Sequence, residues 1–185
     1  MKQITIVSFR GTGFRHTKYK KEPGLVRAGH VGFIFEDEPE TIYGFHPTQE
    51  AEDKAGGLNE LIELLKKHER QPGTVQNDTE VFDRAYELAE QGELDRRTEV
   101  YQLTYELEDD AYQTARKKVL DLHETQEEMW YNFPYKDGRF AEDECNCAIF
   151  PGRIGIPIPS TNGMVSEYIE EMRRQGAKVW QPPKL

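Results

Sequence analysis

Gly29-His30-Val31-Gly32-Phe33-Ile34-Phe35-Glu36-Asp37-Glu38-Pro39-Glu40-Thr41-Ile42-Tyr43-Gly44-Phe45-His46 is the stretch from which the fold is read. Two apolar, β-prone runs flank an acidic tetrapeptide that carries a proline. That pattern predicts an antiparallel hairpin with arms over residues 30–36 and 41–46 and a turn over 37–40. With the turn centred near Glu38, His30 and His46 oppose each other at the open end, where directly facing side chains lie about 5 Å apart at Cβ. One histidine can then act as a base and the other can fix its tautomer. His46 has a second reading, as the first residue of a loop at His46-Pro47-Thr48, and the sequence leaves both open. Alternation puts His30, Gly32 and Ile34 on one face, and Gly32 is expected to leave room there for a substrate chain against the backbone.

A histidine base calls for a nucleophile, and the chain holds two cysteines, both in Asp143-Glu144-Cys145-Asn146-Cys147-Ala148-Ile149-Phe150-Pro151. Asn is among the strongest helix N-caps. If Asn146 caps a short helix, Cys147 falls in its first turn, where unpaired backbone N–H groups favour an anion such as a thiolate. The acidic trio Glu142, Asp143 and Glu144 suits a helix start but opposes a thiolate, so a positive neighbour is required, and protonated His30 can supply it. Taken alone, Cys147 would read as a small buried hydrophobe.

The remaining elements follow from periodicity. Residues 2–9 alternate as a strand, and Leu58, Leu61, Ile62, Leu64 and Leu65 recur at helical spacing before Pro72-Gly73 interrupts the chain. Val75 opens a brief strand, and Asp78 or Thr79 caps a helix running through Phe82, Ala85 and Leu88. Residues 100–105 alternate again. Helices are predicted after Asp109 or Asp110 and over residues 163–175, and a last strand over 176–180. Met129-Trp130-Tyr131-Asn132-Phe133-Pro134-Tyr135 is the most aromatic stretch, suited to core or to the wall of a cleft, and Trp130, Tyr131 and Asn146 are candidate substrate-binding residues.

Composition limits the partners. A chain of 185 residues fits one domain, and no linker separates two. The net charge of −10 and a pI of about 5.1 argue against nucleic acid and anionic membranes, which demand basic patches. With 31% charged residues and a mean hydropathy of −0.81, no segment reads as a membrane span, and the N-terminus lacks the apolar core of a signal peptide. A cytoplasmic protein is expected, or one that leaves by a route without such a signal. Two cysteines one residue apart are no disulfide framework. Cys-x-Cys with a histidine is a poor match to the four well-spaced ligands of a zinc site, so neither metal nor cofactor is expected.

Taken in order, Gly29-His30-Val31-Gly32, Tyr43-Gly44-Phe45-His46-Pro47, Pro72-Gly73-Thr74-Val75, Tyr101-Gln102-Leu103-Thr104 and Asn146-Cys147-Ala148-Ile149-Phe150 with Gly155-Ile156-Pro157 resemble the circularly permuted branch of the NlpC/P60 papain-like hydrolases. In that branch the histidine strand precedes the cysteine helix. The resemblance spans roughly residues 1–160. It implies an α+β, single-domain, permuted papain-like fold in which a small antiparallel sheet packs against helices. It also implies a peptide or amide substrate, Cys147 as nucleophile, His30 as general base and the Cys147 backbone N–H as an oxyanion donor. Two departures are visible: Pro151-Gly152 cuts the cysteine helix short, and relatives often carry an aromatic where His46 stands. Within such a family the chain reads as a cysteine peptidase or amidase, housekeeping or a bacterial effector that cleaves peptidoglycan cross-links and is met by an inhibitory immunity protein. Acyl transfer or thioester hydrolysis on the same fold, and a catalytically idle binding module, are the alternatives.

Overall fold

The computed structural model describes residues 1–92, 99–124, 129–157 and 163–183. Its frame is one sheet of eight strands: β1 (Lys2–Phe9), β2 (His30–Phe35), β3 (Tyr43–Pro47), β4 (Gln71–Asn77), β5 (Tyr101–Leu107), β6 (Trp130–Tyr131), β7 (Glu144–Cys145) and β8 (Lys178–Val179). They lie in the order β7-β6-β4-β3-β2-β1-β5-β8. The sheet is larger than the small antiparallel one expected, and it is mixed, because β6 and β7 run parallel. Seven α-helices are present among the described residues: α1 (Gly24–Ala28), α2 (Gln49–Ala55), α3 (Leu58–Lys66), α4 (Thr79–Glu90), α5 (Asp109–Glu124), α6 (Phe150–Arg153) and α7 (Val165–Arg174). The architecture is α+β. None of these helices is long and apolar enough to cross a membrane.

The central strands are buried on both faces, so their sequences read as nearly continuous apolar runs. Ile4, Ile6, Val31, Phe33, Phe35 and Phe45 point into a core completed by Tyr112 and Val119 of α5, Phe150 of α6 and Tyr168, Ile169 and Met172 of α7. On the opposite face Val7 and Phe9 meet Ile42 and the α4 residues Phe82 and Ala85. Aromatic rings knit the first core: Phe45 stacks on Phe150 with centroids 4.6 Å apart and on Tyr131 with centroids 5.8 Å apart. His30, Gly32 and Ile34 share the α4 face by alternation, which decides what the histidine meets.

The hairpin forms with shorter arms than predicted, since Glu36, Thr41 and Ile42 belong to the connection. Glu36 turns its carboxylate onto the Gln3 amide, and the turn is tied to α5 by ion pairs from Arg116 to Asp37 and Glu38. One further reading is corrected. Pro72-Gly73 does not interrupt the chain but lies inside β4. There the pairing passes from β3 to β6, so the missing proline N–H costs no ladder bond to β3. Gly73 is demanded at this point, because a Cβ would overlap the Phe45 ring. The sequence pattern also missed α2, which Thr48 caps by accepting a hydrogen bond from the Ala51 amide at 3.1 Å.

Candidate active site

Register brings the two histidines together. Gly32 pairs with Gly44 and Phe33 with Tyr43, and continuing that ladder sets His46 opposite His30. Their rings lie 6.1 Å apart, edge to face. They do not bond to each other, because a carboxylate stands between them. His30 Nε2 donates to Asp78 Oδ2 at 2.8 Å, and His46 Nε2 approaches Asp78 Oδ1 at 3.1 Å. Asp78 occupies the N-cap position of α4, yet its side chain caps nothing. Asn77 takes that task instead, its Oδ1 accepting from both the amide and the hydroxyl of Thr79. The sequence reading of Asp78 as a helix cap is therefore replaced by a bridging role between two strands. The one sequence signal was the adjacent Asn77, which left the aspartate spare.

The bridge is buried. His30 is 1% exposed and Asp78 4%, so neither charge is shared with water. Burial alone would drive His30 toward its neutral form, but the hydrogen bond it donates to Asp78 and the hydrogen bond and charge of Cys147 outweigh it and raise the imidazole to about 10. Asp78 is opposed by burial in the same way, and the two imidazoles hold it well below the ordinary carboxylate range. With Nε2 of His30 committed to Asp78, the contact to the Cys147 side chain falls to Nδ1. The structure thus brings Cys147 and His30 together, with Asp78 behind the histidine.

Glycines make the space. A Cβ on Gly44 would overlap both Asp78 Oδ2 and His30 Nε2, so only glycine at this point of β3 lets the carboxylate reach the ring. Gly32 leaves no room for substrate, contrary to expectation. Phe82 and Ile42 fill the space in front of it, 2.7 Å from where a Cβ would stand, and the Phe82 ring also lies 5.8 Å from that of His30.

The cysteine turn is built from the backbone. Asn146 Oδ1 accepts from the amides of Ala148 and Ile149, both at 3.1 Å, and its carbonyl accepts from Phe150. Its amide nitrogen donates to the Gly163 carbonyl. Asn146 caps a turn, as read, but the helix proper begins at Phe150 and has four residues. Cys147 lies in the capped turn ahead of it, which leaves little helix dipole to act on the sulfur. Both polar atoms of the Asn146 side chain are thus engaged within the protein. Arg153 fixes the approach to the turn by donating to the carbonyls of Ala141, Glu142 and Glu144.

The Tyr131 hydroxyl interacts with both the side chain and the backbone N–H of Cys147, and burial pushes its phenol up. Trp130 sits one residue away under the Arg70 guanidinium, 4.4 Å from the ring centroid. Cys145 is fully buried in β7. Burial drives its thiol strongly upward, only partly countered by Arg153. Both cysteines are free. Among the described residues no group of three or more His, Cys, Asp or Glu side chains is arranged to hold a metal ion.

Comparison of the chain with family models, with curated proteins and with solved structures finds no match.

Proposed function

We propose that this chain is a cysteine-dependent hydrolase of amide bonds. One observation carries the reading: a buried imidazole held between an ionised carboxylate and a thiol, His30 between Asp78 and Cys147. The Cys147 thiol gives its proton to His30 and the thiolate attacks the carbonyl carbon, forming a tetrahedral adduct. His30 returns the proton to the leaving amine as the C–N bond breaks, and a thioester remains on Cys147. Water, losing its proton to His30, then attacks the thioester and releases acid and thiol. Asp78 orients the ring and keeps its charged form favoured while the proton is in transit, the task of the third member of such a constellation. The backbone N–H of Cys147 serves as an oxyanion donor, with the Tyr131 hydroxyl beside it.

Descent from the permuted NlpC/P60 branch, a peptidoglycan peptide as substrate, and an effector's life outside the producing cell belong to the same proposal, supported by the order of the motifs. A second reading has its own observation. Cys147 is only 5% exposed and His30 1%, as fits an idle binding module whose thiol meets no substrate. Mass spectrometry of the intact protein after incubation with an activated acyl ester separates the two. The hydrolase forms an acyl adduct on the peptide carrying Cys147, and turns over amide substrates. A protein that stays unmodified, or is acylated only at lysines, is no cysteine hydrolase.

A further inference from the structure

Tyr131 and Tyr168 both feel the charge of Cys147, and the fold treats their hydroxyls differently. The Tyr131 hydroxyl is already engaged by the side chain and the backbone N–H of Cys147. Tyr168, from α7, is wholly buried in the same core as Cys147, and its hydroxyl has no hydrogen-bond partner among the described residues. The place of Tyr168 is set by the cysteine turn itself. Asn146, the residue before Cys147, donates from its side-chain amide to the Gly163 carbonyl at 2.6 Å, which ties the turn to the approach of α7. Tyr168 lies one turn further on, its amide donating to the Met164 carbonyl at 3.0 Å. The neighbouring phenol of β5, Tyr105, gives its hydroxyl to Gln175 at 3.2 Å and does not serve Tyr168.

A buried hydroxyl without a partner has lost its hydrogen bonds to water, a cost that phenylalanine in the same place would not incur. That cost is relieved in any state that sets an acceptor before it. The reaction at Cys147 creates one: as the S–C bond forms and the thiol proton passes to His30, the carbonyl π pair becomes an oxyanion. We propose that Tyr168 is a further catalytic residue, its hydroxyl donating to the acyl oxygen of the tetrahedral adduct on Cys147. The inference rests on the hydrolase reading. Burial, and after it Tyr105 and the charge of Cys147, push the Tyr168 phenol up, so it keeps its proton and stays a donor. A donor unpartnered in the resting protein and partnered in the adduct favours the transition state alone, and so acts on turnover and not on substrate binding. Tyr131 is less suited, because it must first give up its contacts to Cys147.

Acylation of the intact chain by p-nitrophenyl acetate tests this. The acetyl group forms a thioester on Cys147, p-nitrophenolate leaves, and the proton taken by His30 passes to solvent; the nitrophenolate burst gives the rate and peptide mass gives the site. Tyr168→Phe removes the hydroxyl and keeps the ring. Its denaturation midpoint is expected to be unchanged or higher, its acylation about 100-fold slower, and the ester concentration at half-maximal rate unaltered. Tyr105→Phe is expected to react at the wild-type rate. A wild-type rate in Tyr168→Phe overturns the proposal and leaves the hydrolase reading standing. So does a slow Tyr168→Phe that has also lost stability, or an equal loss of rate in Tyr105→Phe, since either marks packing and not hydrogen bonding. A wild-type chain that takes no acyl group on Cys147 overturns both readings together.

Discussion

Cys145 and Cys147 stand two residues apart, both free and both nearly devoid of solvent contact, yet the fold gives them opposite surroundings. Cys145 ends a two-residue strand in an apolar layer, and burial disfavours its ionised form. Cys147 sits where a capped turn meets the open end of the histidine hairpin, with a charged imidazole beside it. Burial is common to the two. The difference lies in whether a partner is buried with the thiol, and Asp78 from a third element helps to hold that partner ionised.

The largest expected effect contrasts the two thiols directly. Cys147→Ala should abolish acylation and lower amide turnover by about 10⁴-fold or more, while Cys145→Ala keeps most of both; peptide mass mapping after brief iodoacetamide treatment near pH 6 should find the label on Cys147. Equal labelling of both cysteines would erase the distinction. Next comes Asp78→Asn, which leaves two histidines without their anion. Removing one member of a buried ion pair costs about 3–5 kcal/mol, read by chemical denaturation, and turnover should fall by roughly 10³-fold. A stability loss under 1 kcal/mol would mean that Asp78 is no buried counter-ion.

Gly44→Ala sharpens the same point without touching a titratable group. The added methyl would overlap the His30–Asp78 bond, so a loss of about 1–3 kcal/mol is expected, together with a reactivity of Cys147 lowered toward that of Cys145. Wild-type reactivity in this variant would show that the bond does not govern the thiol.

The bridge should also show in the pH dependence of stability. His30 is raised in the fold, from an ordinary 6.5 to about 10, so its contribution is complete below the unfolded value and is lost as pH rises toward 10. Asp78 is depressed, so its contribution is present above its ordinary 3.8 and is lost as pH falls below it. The stability gap between wild type and Asp78→Asn is therefore expected to be widest between about pH 4 and 6.5 and to narrow on both sides. A gap that is flat with pH would show that the bridge is not ionic. The smallest effect belongs to Cys145→Ala, with a cost of about 1 kcal/mol for lost packing and no change in the reactivity of Cys147.

Much of this was legible from the chain itself. The apolar runs around the acidic turn at residues 37–40 determined a hairpin, and for a strand that reaches residue 46 its period of two pairs His30 with His46, because an antiparallel ladder with a given turn has only one register; that His46 stays on the strand was settled by the fold. Asn146 announced a capped turn, since its short amide satisfies the amides that follow it in sequence. Those are local interactions, and local chemistry is written in local sequence. What the tertiary structure alone decided is which groups from distant elements share one buried volume. It placed α4 on the histidine face of the sheet, which brought Asp78 between the two rings and put Phe82 in the space before Gly32. Apart from the neighbouring Asn77, nothing near residue 78 distinguishes this aspartate from an ordinary helix cap. Its partners lie 48 and 32 residues away in sequence, and the free energy that sets its charge comes from burial with them, a quantity that exists only once the chain has folded.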